Sequence, residues 1–174
     1  MNDEMIFHFD HPHPGTIAEV SEVVGGKGAS LWAMTSKLRL PTPAGFTIGV
    51  DACRVLDTTG VTEDFTAALD TAIARLEKET GRGLGDADNP LLLAVRSGAS
   101  ISMPGMMETI LNVGVTPLTL PALSDMTGNH PFALDSYQRF LEAFCKSILR
   151  IDHSVLDAQV QETKDLADHT ELLE

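Results

Sequence analysis

A lysine enclosed by glycines is the first feature of this sequence that could do chemistry. Gly25, Gly26, Lys27 and Gly28 stand directly before a predicted helix. Glycines let the backbone approach a ligand closely, and the N–H groups at a helix start attract anions. With the charge of Lys27, these four residues could hold a phosphate. They are not a Walker A loop, because that motif requires Ser or Thr where Gly28 stands. The alternative is a glycine turn beside a solvated lysine.

An arginine followed by small residues is the second such feature. Residues 91–95 form an uninterrupted apolar run, which is typical of a central strand, and Arg96 follows it. Ligands bind where such strands end, and the guanidinium fork can hold two phosphate oxygens at once. Hydroxyl groups and flexible backbone would come from the residues that follow, among them Ser97, Gly98, Ser102 and Gly105. The alternative for Arg96 is an ion pair with one of the many acidic residues.

The histidines and cysteines do not predict a metal site. His8, His11 and His13 lie beside prolines near a terminus, without a cysteine or carboxylate at a ligand spacing, so we assign no metal to them. Cys53 and Cys145 are too few and too far apart in sequence for a zinc motif or a disulfide framework. We therefore expect a reducing, cytoplasmic environment.

The composition narrows the class of protein. The chain has 174 residues, 43% of them hydrophobic, which suits about one domain with its own core. Its net charge of −13 argues against binding to nucleic acid, and its apolar runs are too short to cross a membrane. The first ten residues lack the basic residue of a secretory signal. Residues 91–151 carry four acidic and four basic residues, so an anion would be repelled least there.

Hydrophobic periodicity predicts an α+β fold. The expected elements are an edge strand over residues 5–9, a helix over 28–38, a buried strand over 46–50, a short helix capped by Asp51, a longer helix opened by Thr62, an interior strand over 91–95, a strand over 108–111, and helices from residue 117 onward, the last over 155–173. We expect residues 1–116 to form an α/β subdomain and residues 117–174 a helical subdomain.

Three blocks of the sequence together resemble one enzyme family. Residues 25–31, 40–48 and 95–112 (VRSGASISMPGMMETILN), extended by residues 128–140, are similar in order and interval to the start of pyruvate, phosphate dikinases. The resemblance covers about residues 5–150. The related pyruvate, water dikinases have an acidic-Leu-Pro segment and a glutamine pair where this chain has residues 102–107. The phosphate-using family is therefore favoured.

The resemblance implies an ATP-grasp nucleotide-binding domain, also described as a PEP/pyruvate-binding domain. In that family the domain uses ATP, phosphate and Mg²⁺ to phosphorylate a histidine on a swivelling domain, which passes the group to pyruvate on a barrel domain. Lys27 matches the family's phosphate-binding lysine and Arg96 its nucleotide-phosphate arginine, the candidate catalytic residue. Residues 98–107 would lie alongside the phosphates.

The same resemblance implies that the magnesium ligands, the phosphohistidine and the pyruvate site lie outside this chain. The chain would then be about the first half of one domain, inactive by itself. Two alternatives remain at this point. One is a stand-alone nucleotide-binding or regulatory module without catalysis, and the other is a structural domain in which Lys27 and Arg96 are relics.

Overall fold

The computed structural model describes residues 5–97 and 109–151. These residues form, in order, β1 (Ile6–His8), α1 (Ile17–Trp32), a π-helical turn (Ala33–Lys37), β2 (Phe46–Ile48), α2 (Val50–Thr59), α3 (Glu63–Thr80), β3 (Leu93–Arg96), β4 (Thr109–Val113), α4 (Leu120–Thr127) and α5 (His130–Ser147). The predicted α+β class is confirmed. Nowhere in the described part of the chain is a helix both long and apolar enough to cross a membrane.

The first sheet consists of β1 and β2 and is covered by helices on both faces. The strands are antiparallel, with Phe7 opposite Thr47. Phe7 packs against α1 in a buried cluster, and Ile6 packs against α3 in a second cluster. The predicted edge strand is confirmed as β1. The strand predicted over residues 46–50 is shorter and only half-buried, because Phe46 and Ile48 pack against the Ile6 cluster without being enclosed by it.

Helix α1 begins eleven residues before the predicted start at residue 28. The Thr16 hydroxyl accepts from the Glu19 backbone N–H at 3.3 Å, and the Glu19 carboxylate accepts from the Thr16 N–H at 2.7 Å. This capping box satisfies the first free N–H groups of the helix, and the hydrogen bonds from Thr16 lower the pKa of Glu19. The part of α1 before its break at Gly25 was not predicted, because this signal was overlooked, whereas the part after the break begins close to the predicted start.

Caps were predicted for the helices now described as α2 and α3, and one of the two predictions is confirmed. Asp51 is not the cap of α2: Gly49 takes that position, and Asp51 lies in the first turn, 3.0 Å from Arg54. An acidic residue there still favours the helix, because it faces the positive end of the helix dipole. The prediction for Thr62 is confirmed, since its hydroxyl accepts from the Phe65 N–H at 3.2 Å at the start of α3.

The second sheet is more exposed than the sequence predicted. β3 pairs antiparallel with β4, with a register shift between Leu93 and Val95. The prediction of an interior strand over residues 91–95 is wrong for the described residues: β3 has β4 as its neighbour, and Val95 is 51% exposed. The irregularity places Asn112 at φ 58°, and its side-chain amide donates to the Ser136 carbonyl of α5 at 3.4 Å.

The helical character expected from residue 117 is confirmed by α4 and α5, as far as Ser147. Helices α4 and α5 pack on each other, and α5 packs on β4. Their core is formed by Val115, Leu123 and Ala133, with Leu92 against it. The helix predicted over 155–173 lies outside the described residues, and the division of the chain at residue 116 stays a prediction.

Candidate functional site

The glycine–lysine segment lies at a break inside α1. Gly25 has φ 72° and ψ 164°, a backbone conformation that is essentially restricted to glycine. The helix ends before this residue and starts again after it. The first N–H groups of the restarted segment therefore lie next to Gly25, which is the arrangement that favours an anion at a helix start.

Gly28 has a packing role within the same segment. A Cβ atom at this position would lie 3.0 Å from the Thr47 hydroxyl oxygen and 3.0 Å from the Val24 Cβ. Gly28 is buried, and the missing side chain lets α1 approach β2 closely. This contact explains the glycine without a ligand, so the assignment of Gly28 to a phosphate site stays a prediction.

Lys27, in the glycine–lysine segment, contacts the segment that follows Arg96. Its ammonium donates a hydrogen bond of 2.9 Å to the backbone carbonyl of Ser97, seventy residues away. Ser97 directly follows Arg96, the last residue of β3, and Arg96 is exposed and opposite Thr109 in the sheet. The Lys27 ammonium is therefore held at the end of the strand that carries Arg96.

The predicted site residues are only partly described. The structure brings Lys27, with its neighbours Gly25, Gly26 and Gly28, to the end of β3 at Arg96 and Ser97. Gly98, Ser102 and Gly105 lie outside the described residues. Sequence analysis did not identify the Ser97 carbonyl as a partner of Lys27, because a backbone carbonyl carries no sequence signal. It also missed Thr47, since no motif marks its contact with Gly28.

The histidines near the N-terminus take part in aromatic packing. The His11 and His13 rings lie 4.6 Å apart, both contact Phe7, and His13 contacts Trp32 edge-on. The Trp32 indole N–H donates to the His11 carbonyl at 2.9 Å. Within residues 5–97 and 109–151, no group of three or more histidine, cysteine, aspartate or glutamate side chains is arranged to hold a metal ion.

A cluster of charged residues lies elsewhere, between the end of β1 and α3. The Arg75 guanidinium donates to Asp10 and to Glu79, each at 2.6 Å. Burial, followed by the charge of Arg75, lowers the pKa of nearby His8. Asp10 and Glu79 border an open cavity of about 200 Å³ that Thr35 and Thr42 also line. None of the predicted site residues lines this cavity.

Comparison with known proteins supports the resemblance seen in the motifs. Residues 21–71 match the family model for "Pyruvate phosphate dikinase, AMP/ATP-binding domain". This match includes the Gly25 break, Lys27 and the contact between Gly28 and Thr47. The chain is 41% identical to the pyruvate, phosphate dikinase of Rickettsia felis over 167 residues, 95% of its length. The chain is a homologue of part of pyruvate, phosphate dikinase.

Two further dikinases show similar identity. The pyruvate, phosphate dikinase of Entamoeba histolytica is 42% identical over 82% of this chain, and that of Giardia intestinalis is 43% identical over 82%. The chain spans about a fifth of the length of the curated relatives it matches: 19% for the Rickettsia felis protein and 16% for the other two. The aligned part of each dikinase is thus a small share of the whole enzyme.

Proposed function

We propose that this chain is the first portion of the ATP-grasp-like nucleotide-binding domain of a pyruvate, phosphate dikinase, with its residues on one wall of the ATP site. In the complete enzyme, ATP and phosphate would phosphorylate a histidine, and pyruvate would become phosphoenolpyruvate. The acceptor histidine and the pyruvate site would belong to other domains. The isolated chain would then be inactive.

The hydrogen bond between Lys27 and the Ser97 carbonyl is the observation that carries this proposal. It places an ammonium group beside the end of β3, where Arg96 and the start of the second motif lie. The Lys27 ammonium is thereby brought to the backbone next to Arg96, and we propose that the Arg96 guanidinium faces the same position. A triphosphate is short, so a shared site requires that kind of proximity.

The chemistry of phosphoryl transfer fits these residue types. The transfer depends mainly on positioning and on fixed positive charge around the phosphate oxygens. Lys27 would contribute a point charge, Arg96 a planar fork that contacts two oxygens, and the N–H groups after Gly25 a set of neutral donors. Ser97, Gly98, Ser102 and Gly105 would line the same phosphate chain.

Magnesium is assigned to the proposed enzyme but not to side chains of this chain. The described residues include no group of three or more acidic, histidine or cysteine side chains positioned for a metal ion. When bound with ATP, the cation would neutralise phosphate charge. We propose that its protein ligands come from another part of the complete enzyme.

A magnesium-ATP titration followed by nuclear magnetic resonance tests the site. We expect affinity in roughly the millimolar range or weaker, equivalent to about −4 kcal/mol, because the chain supplies one wall of the site. The largest amide shifts should fall at residues 25–29 and 96–97, and Lys27→Met should reduce them. Larger shifts beside the cavity lined by Thr35 and Thr42 would contradict the assignment.

Two activity measurements complete the test. The pure 174-residue chain should form neither phosphoenolpyruvate nor AMP from the three substrates, and turnover would refute the proposal. In the complete enzyme, Arg96→Ala should slow phosphorylation by ATP more than transfer from phosphohistidine to pyruvate. Equal damage to both half-reactions would indicate a structural role for Arg96.

A further inference from the structure

The end of β3 at Arg96 has little support from its own sheet. β3 pairs with β4, and the main contacts of α5 with this sheet are to β4. Residues Ala94, Val95 and Arg96 are all exposed. Because an isolated pair of strands is marginally stable in water, the position of this strand end should depend on contacts from outside the sheet.

Lys27, a residue of α1 that is distant in sequence, supplies such a contact. Its ammonium reaches the Ser97 carbonyl at 2.9 Å, one residue beyond the end of β3. The base of the lysine side chain is fixed, since the Gly25 break sets where the helix restarts and buried Gly28 packs that segment against Thr47. A hydrogen bond from a charged donor is stronger than a neutral one.

We propose that Lys27 is a positioning residue that clasps the end of β3 before any nucleotide binds. The ammonium has three N–H donors, so one can hold the Ser97 carbonyl while the others face a ligand. The clasp itself requires no ligand. Its further consequence, which rests on the proposed function, is that a phosphate on Lys27 would be gripped by an ammonium already fixed beside Arg96.

Hydrogen exchange without nucleotide tests the clasp directly. Loss of a hydrogen bond of this kind in a partly exposed site costs about 1 kcal/mol, which corresponds to about fivefold faster exchange. Amides of residues 93–97 should therefore exchange about fivefold faster in Lys27→Met than in the unaltered chain. Amides of α5 should be unchanged, and residues 93–97 should keep their wild-type exchange in the control Lys78→Met, which removes an exposed lysine from the last turn of α3.

A second variant keeps the test decisive if Lys27→Met disturbs folding. Lys27→Gln retains an N–H donor without the charge and should give an intermediate rate at residues 93–97, with unchanged far-ultraviolet circular dichroism. Wild-type exchange at these residues in both variants would overturn the clasp, as would acceleration spread evenly over α1 and α5.

Magnesium-ATP added to the same samples separates this inference from the proposed function. Faster exchange in Lys27→Met without nucleotide, combined with slower exchange at residues 93–97 on addition of magnesium-ATP in the unaltered chain but not in Lys27→Met, supports both. Faster exchange in Lys27→Met without nucleotide, combined with no response to nucleotide in any sample, supports the clasp and contradicts nucleotide binding at Lys27. Nucleotide protection without any effect of Lys27→Met on the free protein contradicts the clasp alone.

Discussion

The two sheets of this protein have the same number of strands but very different surroundings. In the first region (residues 5–80), β1 lies between α1 and α3, and Phe7 and Ile6 are 3% and 8% exposed. In the second region (residues 91–97 and 109–151), α5 covers β4, and Val95 on β3 is 51% exposed. The first sheet is fixed by its own helices, whereas the strand next to the candidate site is not. Segments that bind ligands are commonly drawn from the less stable parts of a fold.

The largest expected effect comes from a core truncation in the first region. Phe7→Ala removes a buried ring from the α1 cluster and should cost about 3–5 kcal/mol of unfolding free energy. Trp32, the single tryptophan of the chain, lies in the same cluster and reports unfolding of this region by fluorescence in urea.

The matched variant in the second region is Leu123→Ala, which should cost about 2–5 kcal/mol. If the two regions differ as described, Phe7→Ala should reduce the unfolding free energy reported by Trp32 fluorescence more than the one reported by amide exchange in α5. Leu123→Ala should do the reverse. Equal losses in both regions from either variant would show one cooperative unit.

Neighbouring glycines in α1 should respond in opposite directions. Gly25→Ala places a side chain at φ 72° and ψ 164° and should cost about 1–3 kcal/mol. Gly26 is helical, and its added Cβ would meet no atom closer than the Ser21 hydroxyl oxygen at 3.8 Å. Gly26→Ala should therefore stabilise the chain by about 0.4–1 kcal/mol. Urea unfolding of both variants measures the difference, and equal stabilities would contradict a strained break at Gly25.

Sequence patterns predicted the first region better where the signal was local. The longer helix and its cap at the Thr62 hydroxyl are confirmed in α3, because both depend on residues within a few positions of one another. The start of α1 was also marked by a local signal, the capping box of Thr16 and Glu19, but this signal was overlooked. Gly49 rather than Asp51 precedes α2, and no side-chain hydrogen bond marks that cap.

The exposure of β3 could not be predicted from its sequence. An apolar run such as residues 91–95 indicates burial, but the sequence of β3 does not show that α5 contacts this sheet mainly through β4, because that depends on tertiary structure. The candidate site shows the same limit. The residue types at Lys27 and Arg96 suggested phosphate chemistry, whereas the contact of Lys27 with a backbone carbonyl depends on the fold.

A smaller effect is expected from acidification in the first region. His8 lies near Arg75, Glu79, Asp10 and His11, and burial and Arg75 lower its pKa in the folded chain. The unfolded chain then binds more protons than the folded chain around the ordinary histidine pKa of about 6.5. The contribution of His8 to stability should be present at neutral pH and be lost as the pH falls below that value.

Urea unfolding at several pH values between about 7.5 and 5 measures this contribution. His8→Gln should flatten the dependence of stability on pH. An unchanged slope in His8→Gln would contradict the role of His8.

The smallest effect is expected at Val95, where it tests the exposed end of β3. Val95→Thr replaces one exposed methyl group by a hydroxyl and should change stability by no more than about 0.5 kcal/mol. Its partner in the register, Ile110, lies on the same face of the sheet but is only 8% exposed, so Ile110→Thr should cost about 1–3 kcal/mol. A loss above about 2 kcal/mol for Val95→Thr would mean that the end of β3 is covered in solution. If a second copy covers it, that loss should disappear on dilution in sedimentation and unfolding measurements, because association depends on concentration.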